Sequence, residues 1–214
     1  MSKIRIAIAG VGNCASALIQ GVQYYIENPE DQIGVMYSEI GGYKAEDVEF
    51  VVGFDVDARK VGKRLNKAIY AKPNCNMQVF PPDHDMSCIA SGAKVYRSPT
   101  LDGIAFHMKD LHEDITFLED TEHEPITAAE YRKILQENKV DVLLNYMPVG
   151  SEEAARFHIE NAVIAGVHVV NCMPTYISTE DAMSLEGLAF RYGVTLVGSD
   201  MRSDYGASRL SEVL

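Results

Sequence analysis

Near its amino terminus the chain reads Ile4-Arg5-Ile6-Ala7-Ile8-Ala9-Gly10-Val11-Gly12-Asn13-Cys14-Ala15. Residues 3–9 predict a buried strand, and residues from about 14 to 26 predict a helix. Between them lies a G-x-G-x-x-A turn: Gly10 allows the tight bend, Gly12 lets a pyrophosphate approach the backbone, and Ala15 lets the helix pack on the strand. This strand–turn–helix context predicts a dinucleotide-binding site. The alternative is a tight turn that binds no ligand.

An acidic residue, Asp55, ends the next apolar run, which predicts a second strand over residues 49–54. A carboxylate there can accept hydrogen bonds from the ribose hydroxyls of adenosine. A polar insertion at about 27–48 accounts for its unusually long separation from the glycines. Because a carboxylate repels a 2′-phosphate, the sequence favours NAD over NADP, and Arg59 and Lys60 weaken that preference slightly. The alternative role for Asp55 is to cap the following helix.

The rest of the chain alternates between strand-length apolar runs and segments with helical periodicity. This predicts an α/β fold that is Rossmann-like and doubly wound, with a mostly parallel sheet and helices on both faces. Further strands are predicted at 140–146, 167–172 and 194–198, and helices after Asp57, from the capping box Thr127-Ala128-Ala129-Glu130, from Ser151, at 178–192 and after Ser203. Residues 71–125 are expected to be an irregular loop, with an acidic, solvated connection at 109–125. Residues 1–214 are thus interpreted as one NAD-binding domain.

The charge balance and the cysteines exclude several classes of function. The net charge of −12 argues against binding a nucleic-acid backbone. Four cysteines without CxxC spacing predict a reduced, cytoplasmic chain. No apolar run approaches the roughly 20 residues that span a bilayer, so no membrane partner is expected. The six histidines form no ligand pair, and no metal site is predicted.

Polar side chains stand at the ends of three later strands, where ligands of open α/β sheets bind. These are Asn145, Asn171 and Asp200, each of which is equally suited to capping a helix. The predicted cofactor-binding set contains these three residues together with residues of the glycine turn, the acid after it and the segment after Asn145. These further residues are Gly10, Gly12, Asn13, Cys14, Asp55, Tyr146, Met147, Pro148 and Val149. Cys14 and Cys172 are interpreted as small packing residues rather than reactive thiols.

With these segments in order, the chain resembles myo-inositol-1-phosphate synthase (inositol-3-phosphate synthase) of the bacterial and archaeal type. The matching stretches are residues 10–16, 21–25, 54–57 and 98–103, Pro148-Val149-Gly150-Ser151-Glu152-Glu153-Ala154, and the segment around Asp200. The resemblance implies an NAD-dependent isomerase that converts glucose 6-phosphate to 1L-myo-inositol 1-phosphate, a precursor of inositol phospholipids. It implies that NAD oxidises the sugar at C5, that an aldol addition closes the ring, and that the hydride then returns. It also implies a homo-oligomer for the full-length family.

Two features depart from the family pattern. Arg202 stands where the family has an active-site lysine, within Gly198-Ser199-Asp200-Met201-Arg202-Ser203. Arginine keeps the positive charge that stabilises an oxyanion but does not readily release a proton. The resemblance therefore makes Arg202 and Asp200 the candidate catalytic residues. The family also continues into a catalytic, tetramer-forming domain, which lies outside residues 1–214.

Three functions remain open at the level of sequence. The first is the cofactor-binding part of an inositol-phosphate synthase, and the second is a non-catalytic NAD-binding module that acts as a sensor or partner subunit. The third, another NAD-dependent oxidoreductase, is disfavoured because no histidine or lysine stands at a strand end to transfer a proton. The sequence also leaves open whether the chain is part of a longer protein or a short relative that lacks turnover.

Overall fold

The computed structural model describes residues 2–104, 108, 110–173 and 180–198. The described residues form one six-stranded parallel sheet in the order β3-β2-β1-β4-β5-β6. Its strands are β1 (Ile4–Ala9), β2 (Val48–Asp55), β3 (Val95–Arg97), β4 (Val142–Asn145), β5 (His168–Asn171) and β6 (Leu196–Val197). The helices are α1 (Asn13–Glu27), α2 (Leu65–Ala68), α3 (Ala128–Glu137), α4 (Glu152–Ile164) and α5 (Glu180–Tyr192). The Rossmann-like, doubly wound fold is thereby confirmed.

The two faces of the sheet bury separate apolar clusters. Alternate residues of β1 enter opposite clusters, because successive side chains of a strand point to opposite faces: Ala7 and Ala9 join one, Ile6 and Ile8 the other. The first cluster contains side chains of α3, α4 and α5, and the second contains side chains of α1 and α2. Burial on both faces explains why the strands read as continuous apolar runs.

The order of the strands reverses beside β1. The chain runs outward from β1 through β2 to β3 and then returns to pair β4 with the other side of β1. The carboxyl ends of β1 and β4 therefore border the crevice in which open α/β sheets bind ligands. The residues that follow these two strands are the glycine turn and Tyr146.

The loop predicted at 71–125 contains more structure than the sequence suggested. It includes β3, which pairs with β2 as an edge strand. The acidic connection at 109–125 is not simply solvated, because Thr116 and Asp120 are buried. The helix predicted after Asp57 is also shorter than expected. Residues 58–62 form turns with Gly62 at φ +75°, and the helix is limited to Leu65–Ala68.

An aromatic cluster anchors α3 and α4 to the sheet. The rings of Phe54 and Tyr131 stack with centroids 4.2 Å apart. The hydroxyl of Tyr131 lies 3.0 Å from Nδ1 of His158, and both side chains are fully buried. Burial lowers the pKa of His158 from 6.5 to about 3. The imidazole is therefore neutral in the folded chain at neutral and mildly acidic pH.

Acid is expected to destabilise the chain through His158. The unfolded imidazole binds a proton below pH 6.5, whereas the folded one does so only near pH 3. The free energy of unfolding should then fall by about 1.4 kcal/mol for each pH unit below the pKa of the unfolded imidazole. Urea titrations between pH 7 and pH 4.5 measure this slope, and His158→Asn should flatten it. Parallel pH profiles for the two chains would refute the assignment.

Candidate functional site

The two glycines of the turn after β1 have different surroundings. Gly10 has φ +85°, and a Cβ placed on it would lie 2.6 Å from the carbonyl oxygen of Tyr146. Its N–H donates to the carbonyl oxygen of Phe54 at 2.9 Å, so the turn packs tightly between β2 and β4. A Cβ on Gly12 would have no heavy atom within 4 Å. Gly12 is the N-cap of α1, so open space adjoins the first-turn amides, an arrangement that suits a phosphate group.

The carboxylate of Asp55, the last residue of β2, is fixed by three backbone N–H groups. Its Oδ1 accepts hydrogen bonds from Val56 at 2.7 Å and Asp57 at 2.9 Å, and its Oδ2 accepts one from Val11 at 2.9 Å. The bond to Val11 ties the carboxylate to the glycine turn. Among the described residues Oδ2 accepts only that hydrogen bond and otherwise has an ion-pair contact at 3.6 Å, so it retains acceptor capacity for a ligand hydroxyl.

A buried lysine forms an ion pair with this carboxylate. The Nζ of Lys60 is 3.6 Å from Oδ2 of Asp55 and donates to Oδ1 of Asn74 at 3.0 Å. Asn74 in turn donates to the carbonyl oxygen of Val11 at 3.1 Å. Both backbone groups of Val11 are thus held by side chains that contact Lys60. This network fixes the shape of the turn before any ligand arrives.

The other basic residue near the acid, Arg59, is also engaged within the protein. Its guanidinium pairs with Asp57 at 2.6 Å and donates to the carbonyl oxygens of Glu113 and Thr116. Burial raises the pKa of the Asp57 carboxyl, but hydrogen bonds from Arg59 and Leu118 outweigh it and hold the pKa below its ordinary value. Both cations that weakened the sequence-based preference for NAD are therefore bound to protein groups.

A cavity of about 180 Å³ lies at the crevice between β1 and β4. Six of the predicted cofactor-binding residues line it, and four further residues complete its wall. The predicted set comprises Gly10, Gly12, Asp55, Tyr146, Met147 and Pro148, and the additional residues are Val56, Ser98, Gly103 and Phe117. The structure thus brings together residues from the ends of β1, β2, β3 and β4 at one place.

The two asparagines at the strand ends bond to each other. The Nδ2 of Asn145 donates to Oδ1 of Asn171 at 2.8 Å, and Asn171 donates to the carbonyl oxygen of Met173 at 3.0 Å. Both side chains are buried, and Oδ1 of Asn145 has no partner among the described residues. The pair holds the ends of β4 and β5 together without lining the cavity.

The remaining predicted residues lie around the cavity rather than in it. The Oδ1 of Asn13 accepts from the N–H of Cys75 at 2.8 Å, and Val149 is 70% exposed. The prediction that Cys14 is a packing residue is wrong, because its side chain lies exposed on the first turn of α1. Burial and the neighbouring Cys172 thiol raise the pKa of Tyr146, so its phenol stays protonated at neutral pH.

Part of the predicted site belongs to residues outside the described ranges. Asp200 and Arg202 lie outside the described residues, as does the helix predicted after Ser203. Within the described ranges, no group of three or more histidine, cysteine or acidic side chains is arranged to hold a metal ion. The same ranges contain no helix with the length and apolarity to cross a bilayer.

One carboxylate near the cavity was not singled out by the sequence. Asp102 accepts hydrogen bonds from the N–H groups of Glu153 at 2.9 Å and Ala154 at 2.8 Å and so caps α4. The hydroxyl of Ser151, at the N-cap position, donates instead to the carbonyl oxygen of Pro148. The cap fixes the loop after β3 against the loop after β4, and both loops line the cavity.

Removing this cap should weaken the fold without removing a core side chain. Asp102→Ala is expected to lower the free energy of unfolding by about 1 kcal/mol, because two N–H groups of α4 lose their acceptor. Asp102→Asn retains an acceptor oxygen and should retain most of the stability. Urea denaturation measures both variants, and equal stability of Asp102→Ala and the unsubstituted chain would show that the cap contributes nothing.

The sheet order, the crevice between β1 and β4 and the glycine turn define a Rossmann-like α/β protein. No protein-family model matches the chain. It is 41% identical over 218 residues to inositol-3-phosphate synthase of Mycolicibacterium smegmatis, and 39% identical over 215 residues to that of Mycobacterium tuberculosis. These alignments cover 99% and 100% of the chain but 54% of each relative. The resemblance to inositol-3-phosphate synthases is confirmed, and the chain spans about half their length.

Two solved structures have the same fold. The crystal structure of Ari2 superposes with a TM-score of 0.73 at 29% identity, over 93% of this chain and 53% of that one. A myo-inositol-1-phosphate synthase-related protein from Thermotoga maritima gives a TM-score of 0.66 at 18% identity, over 92% of this chain and 55% of that one. The second likeness bears on the fold alone.

Proposed function

We propose that this chain binds NAD as the cofactor-binding part of an inositol-3-phosphate synthase, which converts glucose 6-phosphate to 1L-myo-inositol 1-phosphate. One observation carries the proposal: the open space at Gly12 and the fixed carboxylate of Asp55 line the same cavity at the strand-order reversal. A pyrophosphate needs the first feature and an adenosine ribose needs the second. The relatives named for this activity supply the reaction.

Residues of this chain bind and orient the cofactor in the proposal. The first-turn amides of α1 hold the pyrophosphate, and Asp55 accepts a hydrogen bond from a ribose hydroxyl. Bound NAD would supply reversible hydride transfer to and from the sugar and would be recycled rather than consumed. Tyr146, Met147 and Pro148 form the wall on the side of β4 and limit the access of water to the crevice.

Residues Asp200 and Arg202 have separate roles in the proposal. Arg202, with its permanent positive charge, stabilises the developing oxyanion, and Asp200 contacts the cofactor or the sugar. Proton transfer is assigned to lysines in the part of the synthase that residues 1–214 do not include. Turnover by this chain alone is therefore not expected.

A fusion experiment tests the proposed reaction. The chain is joined to the corresponding remaining half of the Mycolicibacterium smegmatis synthase and incubated with glucose 6-phosphate and NAD. Formation of inositol phosphate without net reduction of NAD is expected, and the fusion carrying Gly12→Ala should form less of it when NAD is limiting. The fusion carrying Arg202→Lys should be at least as active as the unsubstituted one.

The outcome also separates the proposal from its main alternative. A folded fusion that binds NAD but forms no product, with or without Arg202→Lys, would contradict the proposed reaction. That result would favour a non-catalytic NAD-binding module, a sensor or partner subunit derived from the same family.

A further inference from the structure

The loop segment at residues 116–120 lies alongside the residues that follow β2. The N–H of Leu118 donates to Oδ2 of Asp57 at 3.0 Å, and the N–H of Ala58 donates to the carbonyl oxygen of Leu118 at 2.7 Å. The N–H of Asp120 donates to the carbonyl oxygen of Val56 at 2.8 Å. This short antiparallel pairing places the segment directly beyond the carboxyl end of β2.

Arg59 holds the other end of the same segment. Its Nη1 donates to the carbonyl oxygen of Glu113 and its Nη2 to that of Thr116, both at 2.7 Å. The backbone is therefore anchored at Thr116 by Arg59 and at Leu118 by Asp57. Phe117 is the residue between these two anchors.

Phe117 lines the cavity and is not part of the described apolar core. It lines the cavity together with Asp55, Val56 and Ser98. It is half-buried and belongs to none of the three apolar clusters formed by the described residues. No other aromatic ring of the described part stacks against it. An aromatic residue that lines a cavity on an anchored segment is suited to packing against a flat ligand ring.

The position of Phe117 in the fold indicates which ring of a bound dinucleotide would pack against it. Asp55 and Ser98 follow or end β2 and β3 on one side of β1, and the segment of Phe117 pairs with residues after β2. Tyr146 and Pro148 follow β4 on the other side. In doubly wound sheets a dinucleotide lies across this reversal with one nucleotide on each side. The acidic residue after β2 contacts the adenosine ribose, so the ring beside it is the purine.

We propose that Phe117 is the residue that packs against the adenine ring of the bound dinucleotide, positioned for that contact by Arg59 and Asp57. This inference rests on the proposed function, because it assigns a residue to the base of the same ligand. It makes the chain's affinity for the cofactor depend on the adenosine half, through a segment that the glycine motif does not include.

Calorimetric titration of the 214-residue chain with three ligands tests the assignment. The ligands are NAD, adenosine 5′-monophosphate and nicotinamide mononucleotide. Phe117→Ala is expected to lower the affinity for NAD and for adenosine 5′-monophosphate by the same factor, about tenfold, because a base–aromatic stack is lost. Nicotinamide mononucleotide should bind as before, and Phe117→Tyr should restore the affinity for the other two.

A matched control lies two residues before Phe117, between the two carbonyl groups that Arg59 binds. The side chain of Ile115 is 56% exposed and is not among the residues lining the cavity, so Ile115→Ala should leave all three affinities unchanged. Unchanged NAD affinity in Phe117→Ala, or equal weakening of both mononucleotides, would overturn this inference while the proposed function stands. Failure of the unsubstituted chain to bind NAD would instead overturn the proposed function and this inference together.

Discussion

Gly12→Ala is expected to weaken NAD binding by at least about tenfold while the folded chain remains nearly as stable. The substitution is compatible with the fold because Gly12 has φ −91° and a Cβ there contacts nothing within 4 Å. The added methyl occupies the space through which a pyrophosphate approaches the first turn of α1, and overpacking of about 1–3 kcal/mol corresponds to that loss of affinity. Calorimetry measures the binding, and urea denaturation measures the stability.

The neighbouring glycine supplies the matched control. Gly10→Ala places a Cβ 2.6 Å from the carbonyl oxygen of Tyr146 and forces alanine to φ +85°. It should lower the free energy of unfolding by about 3 kcal/mol, from backbone strain and overpacking together. The same substitution two residues apart thus damages the fold in one case and the site in the other. Normal NAD affinity in a folded Gly12→Ala chain would show that the pyrophosphate lies elsewhere.

Asp55→Ala is expected to abolish detectable NAD binding and to lower the free energy of unfolding by about 3 kcal/mol. The loss of stability has a specific cause: the substitution leaves the buried ammonium of Lys60 without its carboxylate and three N–H groups without their acceptor. The loss of binding follows from the missing acceptor for the ribose. Stability alone therefore does not separate the two roles of this residue.

A double substitution separates them. Lys60→Met removes the buried charge, so the chain carrying both Asp55→Ala and Lys60→Met should be more stable than the sum of the single effects predicts, by at least about 1 kcal/mol. NAD binding should stay lost in the double variant, because the acceptor is still absent. Restored NAD binding in that variant would contradict the role of Asp55 at the ribose.

The parts of the fold that the sequence predicted are those with a regular pattern. The strands are buried on both faces and appear as unbroken apolar runs, so β1, β2, β4 and β5 were located within about two residues at each end. The capping box at Thr127 marked the start of α3 correctly, since the Thr127 hydroxyl accepts from the N–H of Glu130. The glycine turn joins the acid at the end of β2, as the motif predicts.

The parts that escaped prediction depend on contacts between residues distant in the chain. Gln20 and Gln23 are buried on α1 because they accept hydrogen bonds from the N–H groups of Val79 and Cys88 in the long loop. Helical periodicity assigns glutamines to solvent and cannot foresee such partners. Asp57 pairs with the segment at Leu118 across 61 residues, and Phe117 reaches the cavity only as a consequence. Irregular loops carry no periodicity from which either contact could be read.

Calorimetric titration of the unsubstituted chain with NAD and with NADP tests the central claim most directly. The fixed carboxylate at Asp55, with Arg59 and Lys60 engaged by protein groups, favours a ribose hydroxyl over a 2′-phosphate at this position. We predict one NAD bound per chain, displaced by ADP-ribose, with NADP bound at least about tenfold more weakly because its phosphate meets a carboxylate. Absence of NAD binding, or equal affinity for the two dinucleotides, would contradict this account of the site.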